Sequence, residues 1–316
     1  MTKTRAIRVH EFGGPEKLVW EEIDLPTPGE AVGVNFIDVY QRTGLYKLPT
    51  PFVAGQEAAG VVEAVGPGVT GFAPGERVAA RHRGSYSEHW NVPARRVVKL
   101  PTDVTAQDAA AVLLKGLTAE MLLFRVVEAQ PGWTVLVQAA AGGVGLILTR
   151  WATALGCTVI GTAGSEEKAE LARAAGCKHV ILYREEDVAA RVRELTDGAG
   201  VKVAYDSVGA STQAGSLDSL ATRGWYVTFG NASGPAAPVK PLDLLTRGSL
   251  FMTRPSLEHY GQDPTELAEA SARLFEALKA GHVRAEIGQT FALADAADAH
   301  RALEARQTTG ATVLLP

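Results

Sequence analysis

Apolar positions along this chain follow two different periodicities. Up to about residue 118 they come in short stretches punctuated by glycine and proline: Phe12-Gly-Gly-Pro15, Pro26-Thr-Pro-Gly29, Gly66-Pro-Gly68 and Gly71-Phe-Ala-Pro-Gly75. Strand-like runs lie between them at 60–65, 77–80 and 96–100. Turn signals at such short intervals predict a β-barrel or sandwich. From about 119 to 256 the pattern changes. Strands are predicted at 134–138, 158–161, 179–182, 201–205 and 225–229, and helices at 145–155 and 166–175. Gly176 follows the second helix as a C-cap. Such βαβ alternation means a parallel sheet covered on both faces. The remaining residues hold amphipathic helices near 265–280 and 294–306 and a final strand at 311–315. There is no internal repeat and no low-complexity tract.

Composition narrows the function classes. Apolar residues make up 46% and charged residues 21% of the 316, the balance of a folded globular protein. The net charge of -4 lacks the basic excess of a nucleic-acid binder, so no nucleic-acid partner is expected. Two cysteines, Cys157 and Cys177, make neither a disulfide framework nor a Cys-rich zinc site. The first residues are charged, with no apolar signal core, and no apolar run approaches the roughly 18 residues of a membrane span. The expected location is cytoplasmic, away from membranes.

The most informative stretch is Val135-Leu-Val-Gln-Ala-Ala-Ala-Gly-Gly-Val-Gly145. A strand runs into small residues and then into a helix. Small residues let the backbone approach a pyrophosphate, whose charge suits a helix N-terminus. The spacing Ala140-x-Gly142-x-x-Gly145 matches the dinucleotide fingerprint with Ala in the first position, and Gly143 and Val144 complete the loop. Tight strand–helix packing is the bland alternative, and the strands on either side weigh against it. NAD enzymes usually carry an acid about 20 residues further on. Here the second strand ends Gly161-Thr-Ala-Gly-Ser165-Glu-Glu-Lys168, with no acid at its tip. Gly164, Ser165 and Lys168 suit the 2′-phosphate of NADPH, although Ser165 also reads as a helix N-cap.

Together these motifs resemble the zinc-free quinone oxidoreductases, the zeta-crystallin-like branch of the medium-chain dehydrogenase/reductase superfamily, as found in bacterial NADPH:quinone reductases. The markers run along nearly the whole chain: Gly33-Val-Asn-Phe-Ile-Asp38, Gly55-Gln-Glu-Ala-Ala-Gly60, Gly84-Ser-Tyr-Ser-Glu88, Lys115-Gly-Leu-Thr118, the fingerprint, Asp206-Ser-Val-Gly209, Phe229-Gly-Asn231 and Gly248-Ser-Leu-Phe-Met-Thr-Arg-Pro255. The resemblance implies an α/β protein: a Rossmann doubly wound parallel sheet plus a GroES-like β-barrel domain formed by both chain ends. Residues 1–118 would begin the GroES-like domain, 119–256 form the Rossmann domain, and 257–316 return to the first. It also implies a homodimer.

By motif position, the resemblance brings Asn35, Asp38, Tyr40, Tyr46 and Thr118 to the nicotinamide. Asn35 and Thr118 would offer hydrogen bonds to the cofactor amide or the substrate carbonyl, and Tyr46 a ring and a hydroxyl. Asn35 and Asp38 also read as turn or capping residues, Tyr40 and Tyr46 as core aromatics, and Thr118 as a helix start. Lys168 and Tyr183 match 2′-phosphate positions, Phe229 and Gly230 a loop beside the nicotinamide, and Ser207 joins the cofactor-binding set. Zinc-dependent relatives carry Gly-His-Glu where this chain reads Gly55-Gln56-Glu57, and the seven histidines lack ligand spacing, so no metal is expected. Relatives place a strand between the Pro-rich turn and Gly33-Val-Asn; here Gly29-Glu30 runs almost directly into Ala31, about half a dozen residues short.

The implied reaction is hydride transfer from NADPH to a quinone. Two alternatives stay open: reduction of activated alkenes such as enones or enoyl thioesters, and a non-catalytic NADPH- or RNA-binding role of the crystallin kind.

Overall fold

The computed structural model describes residues 3–24 and 31–316. The shortened stretch expected at Gly29-Glu30 lies outside the described residues. In the first part of the chain the strands are β1 (Lys3–Val9), β2 (Leu18–Asp24), β3 (Ala31–Val34), β4 (Phe52–Val53), β5 (Glu57–Val61), β6 (Arg77–Arg81) and β7 (Val97–Lys99), with helix α1 (Phe36–Arg42) after β3. Helix α2 (Ala106–Glu120) follows, and a π-helical stretch, Met121–Val126, continues it. A turn-punctuated β reading does not predict α2. Its Ala- and Leu-rich sequence is buried nearly all round, so it carries no amphipathic period.

The middle of the chain alternates as the apolar pattern predicts: β8 (Thr134–Val137), α3 (Gly143–Ala154), β9 (Thr158–Ala163), α4 (Glu166–Ala174), β10 (His179–Leu182), α5 (Val188–Leu195), β11 (Val201–Asp206), α6 (Gln213–Asp218), β12 (Leu220–Thr228), α7 (Pro241–Thr246) and β13 (Phe251–Thr253). After α8 (Leu257–Tyr260) and α9 (Pro264–Lys279), the chain ends in β14 (Ile287–Ala292), α10 (Ala296–Glu304) and β15 (Ala311–Leu315). Helix α3 starts two residues before the predicted 145, because Gly142 serves as its N-cap. Strand β12 starts at Leu220 rather than 225, because Leu220 pairs with Val201 of β11.

Strands β8 to β13 form one parallel sheet in the order β10-β9-β8-β11-β12-β13. This is a doubly wound order whose direction reverses between β8 and β11, where α/β sheets bind ligands. A second sheet runs β14-β15-β3-β5-β6-β7, antiparallel except for β14 with β15. Strands from both chain ends therefore build it. Its core joins Ile7, Val32 and Tyr86 from the beginning of the chain to Leu293 and Leu314 from the end. A smaller antiparallel sheet, β2-β1-β4, accompanies it.

The chain divides into two compact units: Met1–Lys115 with Pro264–Phe275 and Ala285–Pro316, and Gly116–Asp263 with Glu276–Arg284. The architecture is α/β, a doubly wound parallel sheet in one unit and a separate, largely antiparallel sheet in the other. Among the described residues, no helix is long and apolar enough to cross a membrane.

Candidate functional site

Within the parallel-sheet unit, the turn after β8 is shaped for close approach. Ala139 adopts a left-handed conformation (φ 53°), unusual for a side chain with a Cβ. Two bonds from β9 hold it there: Ala139 N–H donates to Thr162 Oγ1 at 3.1 Å, and Ala140 N–H to the Thr162 carbonyl at 3.0 Å. A Cβ on Gly145 would run into the carbonyl oxygens of Ala139 and Ala140, so glycine is required there. The first-turn amides of α3, at Gly143, Val144 and Gly145, have no carbonyl one turn back to bond. With the positive end of the helix dipole they make an anion cradle.

A buried polar chain supports this turn. Thr162 donates to Gln138 Oε1 at 2.8 Å, Gln138 Nε2 to Ser216 Oγ at 3.0 Å, and Ser216 to Asp206 Oδ2 at 3.0 Å. Asp206 also accepts the amides of Val208 and Gly209 and the hydroxyls of Thr212 and Tyr226. It thereby locks the loop after β11 to the loop after β8. Ser207, Phe229 and Gly230 meet here: Phe229 N–H donates to the Asp206 carbonyl at 2.8 Å, and a Cβ on Gly230 would overlap the Ser207 carbonyl.

At the tip of β9, Gly164, Ser165, Lys168 and Tyr183 come together. A Cβ on Gly164 would press on the Tyr183 hydroxyl. Ser165 is the N-cap of α4, and its Oγ accepts the Lys168 amide at 3.4 Å. Glu166, the acid nearest the tip, is paired with Arg173 and exposed.

The second cluster lies in the unit built from both chain ends. Asn35 precedes α1, and Asp38 caps that helix by accepting the Asn35 backbone amide on Oδ2 at 2.9 Å. Tyr86 donates to the same Oδ2 at 3.0 Å. His300 Nε2 lies 3.1 Å from the Tyr86 oxygen, and Arg42 Nε donates to His300 Nδ1 at 3.3 Å. An acceptor role for Nδ1 puts the imidazole proton on Nε2, facing Tyr86. Arg42 also donates to the Gly13 carbonyl and to Glu304, both at 2.6 Å. Burial pushes the Asp38 carboxyl up to about 7, against the hydrogen bonds from Asn35 and Tyr86. Burial and the Arg42 charge push His300 down to about 3, so its ring is neutral. Among the described residues, nothing bonds Asp38 Oδ1, which is buried.

The Asn35 side chain points elsewhere. Its Nδ2 donates to Glu57 Oε1 at 2.8 Å. Glu57, fully buried, also takes Lys115 Nζ at 3.1 Å on Oε1 and the Leu114 amide at 2.6 Å on Oε2. Tyr40 is buried, 5.3 Å from the exposed Tyr46 ring, which meets it edge-on. Thr118 is half-buried near the end of α2, not at a helix start. Asn35, Asp38, Tyr40 and Tyr46 thus belong to one unit, and Thr118 and the cofactor-binding positions to the other.

Sequence reasoning missed Glu57, Lys115, Tyr86, His300 and Arg42 as partners of the predicted residues. A signal existed for two of them. Glu57 sits in Glu57-Ala-Ala-Gly-Val61 and Lys115 in Leu113-Leu-Lys-Gly-Leu117, each a lone charge in an apolar run, which implies a buried and paired charge.

Gln56 donates to Gln41 at 3.0 Å, beside the triply bonded Glu57. Among the described residues no group of three or more His, Cys, Asp and Glu is placed to hold a metal ion. Both cysteines are buried, and burial pushes the Cys177 thiol up to about 11.

Residues 143–271 match the Zinc-binding dehydrogenase family and residues 29–102 the Alcohol dehydrogenase GroES-like domain. The chain is 48% identical to a quinone oxidoreductase of Pseudomonas aeruginosa, over 99% of each chain. It is 47% identical to a 2-haloacrylate reductase of a Burkholderia species, over 98% of each. The crystal structure of Escherichia coli quinone oxidoreductase complexed with NADPH superposes with a TM-score of 0.96 at 43% identity, covering 99% of this chain and 100% of that one.

Proposed function

This chain belongs to the quinone oxidoreductases of the medium-chain dehydrogenase/reductase superfamily, and we propose that it reduces quinones with NADPH and without a metal. The observation that carries this reading is the coincidence of a near full-length likeness to quinone oxidoreductases with an anion cradle whose neighbouring strand tip lacks an acid. NADPH, when bound, supplies a hydride from its nicotinamide C4.

The residues divide the work. Gly143, Val144 and Gly145 bind the pyrophosphate through backbone amides, while Ala140 and Gly142, whose amides go to the Thr162 and Ala139 carbonyls, shape the turn that lets it approach. Gly164 lets the Tyr183 hydroxyl approach the strand tip, and Ser165, Lys168 and Tyr183 supply donors and charge to the 2′-phosphate. Ser207, Phe229 and Gly230 shape the backbone beside the nicotinamide. Asn35 and Thr118 orient ligand polar groups. Tyr46 and Thr118 offer hydroxyl donors that oppose negative charge on the acceptor oxygen. Asp38 acts behind Asn35, since its Oδ2 is taken by the Asn35 amide and Tyr86. Tyr40 braces the Tyr46 ring. No side chain is assigned as a dedicated general acid, because a reduced quinone can take its protons from solvent.

The Burkholderia relative favours a second reading, reduction of an activated carbon–carbon double bond. The same cofactor site serves both, and the acceptor alone separates them. A panel of a naphthoquinone, an enone, an enoyl thioester and 2-chloroacrylate, each with NADPH, tests the assignment. The quinone is expected to give the highest kcat/KM. Turnover confined to the alkenes would move the function to the second reading.

We assign the working state as a cytoplasmic homodimer. Strand β13 is an edge of the parallel sheet, and Phe251 and Met252 on it are exposed, as are Leu242 and Leu245 of the preceding α7. An edge with free backbone groups and apolar side chains favours a second copy of itself. Neither membranes nor nucleic acids are assigned as partners.

A further inference from the structure

We infer that Glu57 is a positioning residue that fixes the polarity of the Asn35 amide, so that Asn35 meets its ligand as an acceptor through Oδ1 and selects a primary carboxamide N–H. This rests on the NADPH reading above, since the nicotinamide carries such a carboxamide.

A carboxylate accepts hydrogen bonds and donates none. Glu57 Oε1 faces Asn35 at 2.8 Å, so the Asn35 atom toward it must be the NH2 group. The Gly33 carbonyl lies 3.4 Å from the same nitrogen, an acceptor for its other hydrogen. Both hydrogens of Nδ2 thus face acceptors of the protein itself. Oδ1 is the remaining polar atom of the side chain, an acceptor with two lone pairs at the first turn of α1, where Asp38 Oδ2 in turn takes the Asn35 amide. The group that Asn35 has left for a ligand is therefore an acceptor.

Turning the amide round would present Nδ2 to a ligand carbonyl, but it would aim Oδ1 at Glu57. That breaks one bond of a fully buried carboxylate and sets two acceptors against each other, an arrangement disfavoured well beyond the loss of an exposed bond. The surroundings of Glu57 leave it no retreat. Lys115 Nζ at 3.1 Å and the Leu114 amide at 2.6 Å hold its two oxygens. A Cβ on Gly33 would collide with its Oε1, so β3 carries glycine where the carboxylate lies against the strand. Asn35 is thereby suited to the N–H of a carboxamide and unsuited to a quinone oxygen.

The test is equilibrium binding, read by fluorescence titration, of NADPH and of its reduced 3-acetylpyridine analogue. The analogue keeps the carbonyl and replaces the NH2 by methyl, so it removes the donor alone. Wild type is expected to prefer NADPH by roughly fivefold to tenfold, the worth of one hydrogen bond. Asn35→Leu should bring the preference to about one. Glu57→Gln should do the same, because an amide at 57 lets Asn35 present either end. Glu57→Asp, which stays acceptor-only, should keep the preference even where both affinities fall. A mere loss of packing would weaken both ligands alike and leave the ratio where it was. A ratio within about twofold of wild type in Asn35→Leu and Glu57→Gln overturns the inference. Should Glu57→Gln not fold, Asn35→Leu and Glu57→Asp still decide it. If wild type binds neither dinucleotide, the cofactor reading falls and takes this inference with it. If wild type binds NADPH and reduces quinone while the ratio ignores Asn35, this inference alone fails.

Discussion

Tyr86 donates its hydroxyl hydrogen to Asp38 Oδ2 at 3.0 Å while His300 Nε2 stands 3.1 Å from the same hydroxyl oxygen. A residue next to the predicted site thus depends on the far end of the chain. The link has a consequence for stability against pH. Folded Asp38 holds a proton up to about pH 7, whereas the unfolded chain releases it near 3.8, so its contribution falls as pH rises through that window. His300 runs the other way. It stays neutral down to about pH 3 when folded but takes a proton near 6.5 when unfolded, so its contribution falls as pH drops below 6.5. Between these limits the two cancel, one proton being bound in each state.

Asp38→Asn removes one side of that balance. Relative to wild type, the variant is expected to gain stability as pH rises from about 4 to about 7, by up to about 1.4 kcal/mol per pH unit. Below pH 6.5 its melting temperature should drop with the His300 contribution no longer offset. Melting curves across this range check it, and parallel curves for the two proteins would contradict the buried link.

Arg42 is wholly buried and serves Gly13, His300 and Glu304 at once. Arg42→Met is expected to cost about 3 kcal/mol in chemical denaturation, because it strands the carbonyl and the carboxylate. Arg42→Lys should restore less than half, since a point charge on a flexible stem cannot serve three acceptors. A loss below about 1 kcal/mol in Arg42→Met would show that the cluster is not a structural clamp.

Lys168→Ala should raise KM for NADPH at least about tenfold and leave that for NADH within about twofold, the size expected when one charge-assisted bond to a 2′-phosphate is lost. Steady-state kinetics with both cofactors gives the answer. Equal effects would place the Lys168 side chain away from the phosphate.

Gly145→Ala forces a Cβ against two carbonyl oxygens of the loop. The first turn of α3 must then shift, and NADPH affinity is expected to fall by more than about tenfold, with an accompanying stability loss of about 1–3 kcal/mol. Calorimetric titration beside a melting curve separates the two. Unchanged affinity in a folded variant would mean the loop does not hold the pyrophosphate.

If the proposed homodimer forms through this edge, Phe251→Glu on the exposed strand is expected to give a monomer in size-exclusion chromatography with light scattering. A variant that stays dimeric moves the interface elsewhere, and a monomeric wild type rejects the dimer.

Much of the parallel-sheet unit was legible because its signals are local. Small residues between Val137 and Gly145 sit between a strand and a helix, and successive strands recur in register with the chain. Ser165 could be read as a cap from its place before Glu166, and it is one. The other unit was less legible because its determinants are distant in sequence. Tyr86 meets His300 across 214 residues and Arg42 meets Glu304 across 262, and no local period records such pairs. Helix α2 escaped notice for a related reason: burial on all sides erased the polar face that would have marked it as a helix. In the sequence, Asn35 and Asp38 fit either a capping or a functional role. Asp38 provides the cap, and the Asn35 side chain is directed to Glu57.

The most direct test of the whole account is the oxidation rate of NADPH by a naphthoquinone with chelator-treated protein, run beside NADH. Steady quinone turnover that survives chelation is expected, with kcat/KM for NADPH at least about tenfold above that for NADH, the discrimination that 2′-phosphate contacts provide. Tight NADPH binding with no quinone turnover, or equal use of the two cofactors, would contradict it.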